Sequence, residues 1–359
     1  MKVAEMSKMK ILMIGPDRGV HGGISGVVNN FYQAGLAEKV DLTYIGTMVE
    51  GSKFRKLLKA GAAYMRFCTK LPGSEIVHVN VASDASYYRK SVFIRTAHWF
   101  HKKIVIHQHG GDFETFYEKE LSEKSRKKVN RVLDMGDVLL VLAPVWKEFF
   151  GHMVDPEKII VFPDGIFLPE PFEKQYGQHK ILFLGRLCKE KGIRELLGSV
   201  PSLKEKYTDL QIYLGGIWED KELKETASEY GETVKWLGWV SGKEKQKYLA
   251  MCDVFVLPSY FEGQSLSLLE AMASYCAVVA SETGGIPQMV IEGETGVFVR
   301  PKDAGSLEEG LFKVLGDEGL CKKLGENARK KVEAEFDMVA CVERLLTIYG
   351  KVSGTDEKL

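Results

Sequence analysis

Short, continuous apolar runs rich in β-branched residues recur along this chain, among them Ile11–Ile14, Ile104–Ile106, Val254–Leu257 and Val278–Ala280, and stretches of helical spacing separate them. An unbroken apolar run reads as a strand buried on both faces, and strands alternating with helices predict parallel sheets covered on both sides. At 359 residues the chain is too long for one ordinary core. Two successive α/β domains are therefore expected. The segment LPEPFEKQYGQH, with two Pro, one Gly and mixed charge, divides them. The expected boundaries are 1–168 for the first domain, 169–178 for the linker and 179–336 for the second. A final helix over 337–350 carries apolar residues at Val339, Val342, Leu345, Leu346 and Tyr349 on one face.

Composition narrows the class. Hydrophobic residues make up 45% and charged residues 27%, ordinary for a soluble globular protein. No apolar run reaches the length of a membrane span, and MKVAEMSKMK lacks the apolar core of a signal peptide. Six Cys lie scattered without metal-ligand spacing. These features predict reduced thiols, a cytoplasmic location and no structural zinc. Charge is unevenly spread: residues 1–111 hold 16 Lys and Arg against 7 Asp and Glu, although the whole chain balances at 49 and 49. An anionic partner is expected on the N-terminal half, a phosphate-bearing acceptor or a lipid surface rather than nucleic acid.

The densest stretch runs from Pro258 to Ala273 and reads as strand end, loop and helix. Ser265 or Ser267 can cap the helix, and a helix start at a sheet's carboxyl edge is an anion site. Glu262 lies in the loop and Glu270 on the helix, with seven residues between them. Ionised carboxylates at such positions can accept hydrogen bonds from hydroxyl-rich groups on either side of a phosphate.

Three other stretches carry chemistry. Gly22 and Gly23 stand in a glycine-rich loop between a strand and a helix, though without the dinucleotide fingerprint. His109 follows a buried strand, while His107 belongs to the strand itself. No nearby set completes a metal site around them. Arg186 and Lys191 flank the turn Gly185–Gly192, where two cations can neutralise a departing diphosphate without a metal. A fourth stretch, Ser52–Phe67, is a basic amphipathic helix. It reads equally as a membrane- or acceptor-docking face, through Lys53, Arg55, Lys56 and Lys59, or as a core helix with a solvated side.

The phrase EGQSLSLLEAMA, the Gly-Arg-Leu…Lys-Gly turn and the His-Gly pair together resemble the retaining glycosyltransferases of family 4. The resemblance covers essentially the whole chain. It implies the GT-B fold, an α/β arrangement of two Rossmann-like domains with parallel sheets facing a central cleft, and the last helix packing back on the first domain. It implies that Glu262 contacts the donor sugar and Glu270 the ribose, and that the amides of Gly263, Gln264, Ser265 and Leu266 hold the diphosphate and sugar. Arg186 and Lys191 then take the leaving phosphate, His109 the sugar, and Gly22 and Gly23 the diphosphate from across the cleft. Asp164 stands where Asn is usual, at a turn that tolerates either. No cofactor or metal is expected, because the nucleotide sugar is itself the substrate.

The implied reaction is transfer with retention from a nucleotide sugar, a UDP-sugar ahead of GDP-mannose, to a saccharide or lipid-linked saccharide acceptor in cell-surface polysaccharide synthesis. A peripheral place at the inner membrane face fits that role. The alternatives are a same-fold phosphorylase or epimerase of nucleotide sugars, and a non-catalytic nucleotide-binding protein docked at the membrane.

Overall fold

A computed structural model describes residues 8–354. Residues up to Phe167 and from Met338 onward form one compact unit, and Leu168–Asp337 form another.

The first unit is built on six parallel strands: β1 Lys10–Gly15, β2 Asp41–Gly46, β3 Ile76–Val81, β4 Lys103–Gln108, β5 Val138–Val141 and β6 Ile159–Val161. Their spatial order is β2-β1-β3-β4-β5-β6. Every residue of β3 is buried, and all but the first of β1 and of β4, as continuous apolar runs require when helices cover both faces. Order reverses between β1 and β3, so the loops after these two strands leave the sheet side by side. Asn80 on β3 fixes that junction by donating through Nδ2 to the Ile14 carbonyl at 3.1 Å.

The last helix, Met338–Ser353, belongs to this unit. Its buried face is Met338, Cys341, Val342, Leu345, Ile348 and Tyr349, while Val339 is 55% exposed. Val339 was expected on the buried face, but it stands about 100° round the helix from Met338 and falls outside the buried arc. The Tyr349 hydroxyl meets His78 Nδ1 at 2.7 Å inside the core.

A single helix expected over Glu114–Met135 is instead broken. Phe113–Thr115 and a wider turn over Phe116–Glu120 precede a helix Glu123–Leu133 that starts on a Ser122 cap. The break falls at Leu121 and Ser122, both extended, where Ser122 Oγ accepts from the Ser125 amide and starts a new helix.

The second unit also has six parallel strands: β7 Lys180–Leu184, β8 Gln211–Gly215, β9 Val234–Gly238, β10 Val254–Leu257, β11 Ala277–Ser281 and β12 Gly296–Val299. Their order, β12-β11-β10-β7-β8-β9, is the doubly wound Rossmann arrangement, reversing between β7 and β10. Residues 169–178 carry no helix or strand and lie along this unit. Lys174 is buried there, donating to the carbonyls of Leu249 and Ser274 at 2.7 and 3.0 Å.

Among the described residues, no helix is long and apolar enough to cross a membrane. The six Cys are free thiols.

Candidate active site

The site of the second unit forms where its strand order reverses, because the loops after β7 and β10 emerge there as neighbours. Gly192 lets them touch. It adopts φ 72°, and a Cβ at this position would collide with the Pro258 carbonyl oxygen. The Tyr260 amide then donates to the Glu190 carbonyl at 2.8 Å, joining the two loops through backbone.

This approach brings Lys191 to Glu262. The lysine Nζ donates to Glu262 Oε1 at 2.6 Å, and Ser259 Oγ donates to the same oxygen at 2.8 Å. Both side chains are largely sheltered, at 18% and 9% exposure. The Glu262 backbone is held as well: its carbonyl accepts from the Gly285 amide at 3.1 Å. Gly284, at φ 53°, leaves room for that carbonyl, which a side chain would occupy.

Ser265 proves to be the helix cap. Its Oγ accepts from the Leu268 amide at 3.3 Å, and the helix runs Leu266–Ala273. Ser267 instead donates to the Leu184 carbonyl at 2.9 Å and ties the helix start to the end of β7. Gly263 is buried and Gln264 half-buried in the loop just ahead of the cap.

The other two charged residues pair elsewhere. Arg186 meets Glu219 at 3.0 Å on the exposed side of the β7 loop. Glu270 meets Lys245 at 2.6 Å, with both half-buried. Of the four expected charges, Lys191 and Glu262 are thus in direct contact, while Arg186 and Glu270 stand on the same two loop-to-helix connections with partners of their own. Neither Glu219 nor Lys245 was identified from sequence. Both are ordinary surface charges by local pattern, and only the fold brings them to these partners.

In the first unit, His109 sits over the carboxyl end of β4. Asn80 uses its amide nitrogen on Ile14, so it turns Oδ1 toward His109 Nε2 at 3.0 Å, and that nitrogen must carry the proton. The other ring nitrogen, Nδ1, lies 3.3 Å from Asp164 Oδ2. Burial pushes the Asp164 carboxyl up to about 6 and holds His109 down to about 3. Both shifts favour a protonated Asp164 donating to a neutral His109.

The sequence reading of Asp164 as an interchangeable turn residue is therefore corrected: it is 3% exposed and faces an imidazole. His107 lies beneath, fully buried in β4 as expected, with Nε2 3.7 Å from Asp164 Oδ1. The ligand-type atoms of His107, His109 and Asp164 lie within 4.8 Å of one another. The carboxylate that completes this trio comes from a distant loop, which is why spacing alone did not reveal it. Gly22 and Gly23 open the helix Gly23–Gln33, and a Cβ at either would meet only open space. Internal packing therefore does not require glycine there.

These features define a class first. Two successive parallel-sheet Rossmann-like units make this a GT-B chain. Sucrose-phosphate synthase from Thermosynechococcus elongatus superposes with a TM-score of 0.80 at 21% identity, over 97% of this chain and 100% of that one. Anabaena HepE, crystallised with UDP-glucose, superposes with a TM-score of 0.74 at 16% identity, over 96% of this chain and 100% of that one. At such identities the likeness shows the fold.

Residues 167–331 match the family Glycosyl transferases group 1, a stretch that lies within the second unit apart from its first residue. A glycosyltransferase of Methanocaldococcus jannaschii, named as uncharacterized, is 30% identical over 177 residues, which are 49% of this chain and 45% of that protein. The chain thus spans about half the length of the first curated relatives it matches.

Proposed function

We propose that this chain is a retaining glycosyltransferase that moves a sugar from a nucleotide sugar, a UDP-sugar ahead of GDP-mannose, to a saccharide or lipid-linked saccharide of the cell surface. The observation that carries this reading is the Lys191–Glu262 pair, at 2.6 Å, held where the sheet of a group 1 glycosyl transferase domain reverses order. Loops at such a reversal are where open α/β sheets bind ligands.

In this reading the diphosphate takes over the cations. Lys191 leaves Glu262 for the diphosphate when the donor binds, before the sugar–oxygen bond weakens, and Arg186 adds a second charge from the same loop. Cations placed in advance where negative charge develops lower the barrier without reorganising. Glu262, released from Lys191, accepts from sugar hydroxyls, and Glu270 accepts from the ribose. The amides from Gly263 to Leu266 lie at the helix start, where backbone donors favour an anion. His109 keeps the sugar contact that the resemblance implies.

No carboxylate is assigned as a covalent nucleophile. The departing phosphate oxygen instead takes the proton of the acceptor hydroxyl on the same face of the sugar, which retains the anomeric configuration. Two cations supply the charge that a metal would, so chelation is expected to leave turnover unchanged.

UDP-sugar is favoured because HepE, of the same fold, was crystallised with UDP-glucose. Acceptor binding is assigned to the first unit, where positive charge is concentrated. A thermal-shift panel of UDP, GDP and ADP tests the donor base, since a ligand that binds only the folded state raises its stability by mass action. A melting point raised by UDP alone supports this assignment. A rise with GDP alone moves it to GDP-mannose, and no rise with any of the three contradicts the donor site.

A further inference from the structure

The helix Lys53–Lys70 is apolar on two sides. Its inner side seats Ala63 and Phe67, both buried, against the core. Its outer side carries Phe54, Leu57, Leu58 and Met65, which are 70%, 71%, 58% and 68% exposed. Their spacing places them along one face. A surface helix ordinarily gives its outer face to polar groups, and a contiguous exposed apolar stripe marks an interaction site.

The sequence left open whether this was a core helix or a docking helix. The structure shows a core face and a second apolar face turned to solvent. The Lys53 side chain lies outside the described part. Residues 53–70 include six Lys and Arg and no Asp or Glu. An apolar stripe flanked by cations alone is complementary to an anionic lipid surface rather than to a typical protein face.

The same helix also walls a cavity. Lys59 and Arg66 line it with Asp17 and Arg18 from the turn after β1, and Tyr44 and Gly46 from the end of β2, around a half-open hollow of about 300 Å³. Three cations thus face one acid. That acid is already engaged, since Lys59 Nζ lies 2.9 Å from Asp17 Oδ2 and holds the carboxyl below the usual range. Arg18 is fixed in place, with Nε donating to Asn29 Oδ1 at 2.8 Å and its guanidinium stacked 3.7 Å from the Tyr32 ring centre. Arg66 forms no ion pair with any described residue. An excess of two positive charges, with one guanidinium uncommitted and another oriented, suits a phosphate.

We infer that this cavity binds the phosphate headgroup of a membrane amphiphile, and that the stripe Phe54, Leu57, Leu58 and Met65 enters the bilayer beside it. The inference rests on the glycosyltransferase reading only in taking that amphiphile to be the lipid-linked acceptor. The neighbouring helix, Asp84–Trp99, extends the apolar surface. It packs on Lys53–Lys70 through Phe93 against Phe67 and through Thr96 Oγ1 with Tyr64 at 3.0 Å. Its Trp99 is 78% exposed, and Trp is a residue favoured at the membrane–water interface.

The test is co-sedimentation of the full chain with phosphatidylcholine vesicles, with and without phosphatidylglycerol. The wild type should sediment with the anionic vesicles only, less so as salt rises. Arg66→Gln should weaken that binding about fivefold, the effect of one basic charge near an anionic surface. Leu57→Ser combined with Leu58→Ser, both at exposed positions, should weaken it further. Neither variant should change the melting point or its shift by UDP. A wild type that stays in the supernatant, or variants that bind as well as it does, would overturn the inference. So would a melting point raised by inorganic phosphate through Arg66 without vesicle binding, which would mean a soluble phosphate ligand. Vesicle binding without any sugar transfer would instead contradict the enzymatic reading and leave this surface standing.

Discussion

Lys191 Nζ and Glu262 Oε1 lie 2.6 Å apart, although 71 residues separate them in the chain. The contact joins the loop after β7 to the loop after β10, and the sheet order makes those loops neighbours. It is sheltered enough for its loss to matter. Removing one partner of a largely buried pair leaves the other charge poorly solvated, whereas exposed pairs contribute little. Lys191→Met should lower the melting point by several degrees, in line with about 1–3 kcal/mol for an unsatisfied buried group. The equivalent loss at the exposed Arg186–Glu219 pair should be close to nothing. Thermal denaturation of Lys191→Met and Arg186→Met side by side checks the contrast.

Gly192 is the hinge of that contact. At φ 72°, with the Pro258 carbonyl in the space of a Cβ, alanine there must shift one of the two loops. Gly192→Ala should cost about 1–3 kcal/mol in strain and displace Lys191 from Glu262, so transfer falls more than stability. Gly22→Ala meets open space and should leave the melting point unchanged. If the two variants have equal melting points, the close approach is not a constraint.

Lys245 is expected to act through Glu270, which it meets at 2.6 Å. If Glu270 holds the ribose, Lys245→Ala leaves the carboxylate unoriented, so KM for the donor should rise severalfold with kcat little changed. A fall in kcat at constant KM would place Lys245 in the chemical step instead. Steady-state kinetics with a varied donor separates the two.

The His109–Asp164 contact gives a pH dependence with a definite sign. Asp164 is raised from 3.8 to about 6, so the stability it contributes is complete in acid and lost as pH rises through 6. His78 and His109 are both held down to about 3 from 6.5, so theirs is present above 6.5 and lost as pH falls below it. Two histidines outweigh one carboxyl, and the melting point should fall between pH 6.5 and 4. Asp164→Asn removes the opposing contribution, so its decline in acid should be steeper. The His109 ring resonances should change near pH 6 in the wild type, as Asp164 stops donating to Nδ1, and not in Asp164→Asn. An inflection that persists in the variant would assign it to another group.

Much of the architecture was legible because burial on both faces of a parallel strand leaves a continuous apolar run. β1, β4, β10 and β11 were read that way. Where a side-chain cap restarts the backbone, as at Ser122, one expected helix became several pieces. The site was legible only in part. Glu262 and Lys191 stood out because their local phrases are unusual for surface charges. Glu219, Lys245 and Asn80 did not, since each acquires its role from a partner far away in sequence. Asp164 was visible, but its importance was not. A turn residue and a buried proton partner look alike until the strand carrying His107 is placed beside the loop.

The most direct test of the central claim is turnover of a UDP-sugar by purified wild type and Glu262→Gln, followed as UDP release. Glutamine keeps the size of the side chain but weakens its pairing with Lys191 and its acceptance from sugar hydroxyls. The account predicts that release falls by about 10²–10³, the loss typical of removing one preorganised polar group at a reacting centre, while UDP still raises the melting point of the variant. Equal rates of release from the two proteins would contradict it.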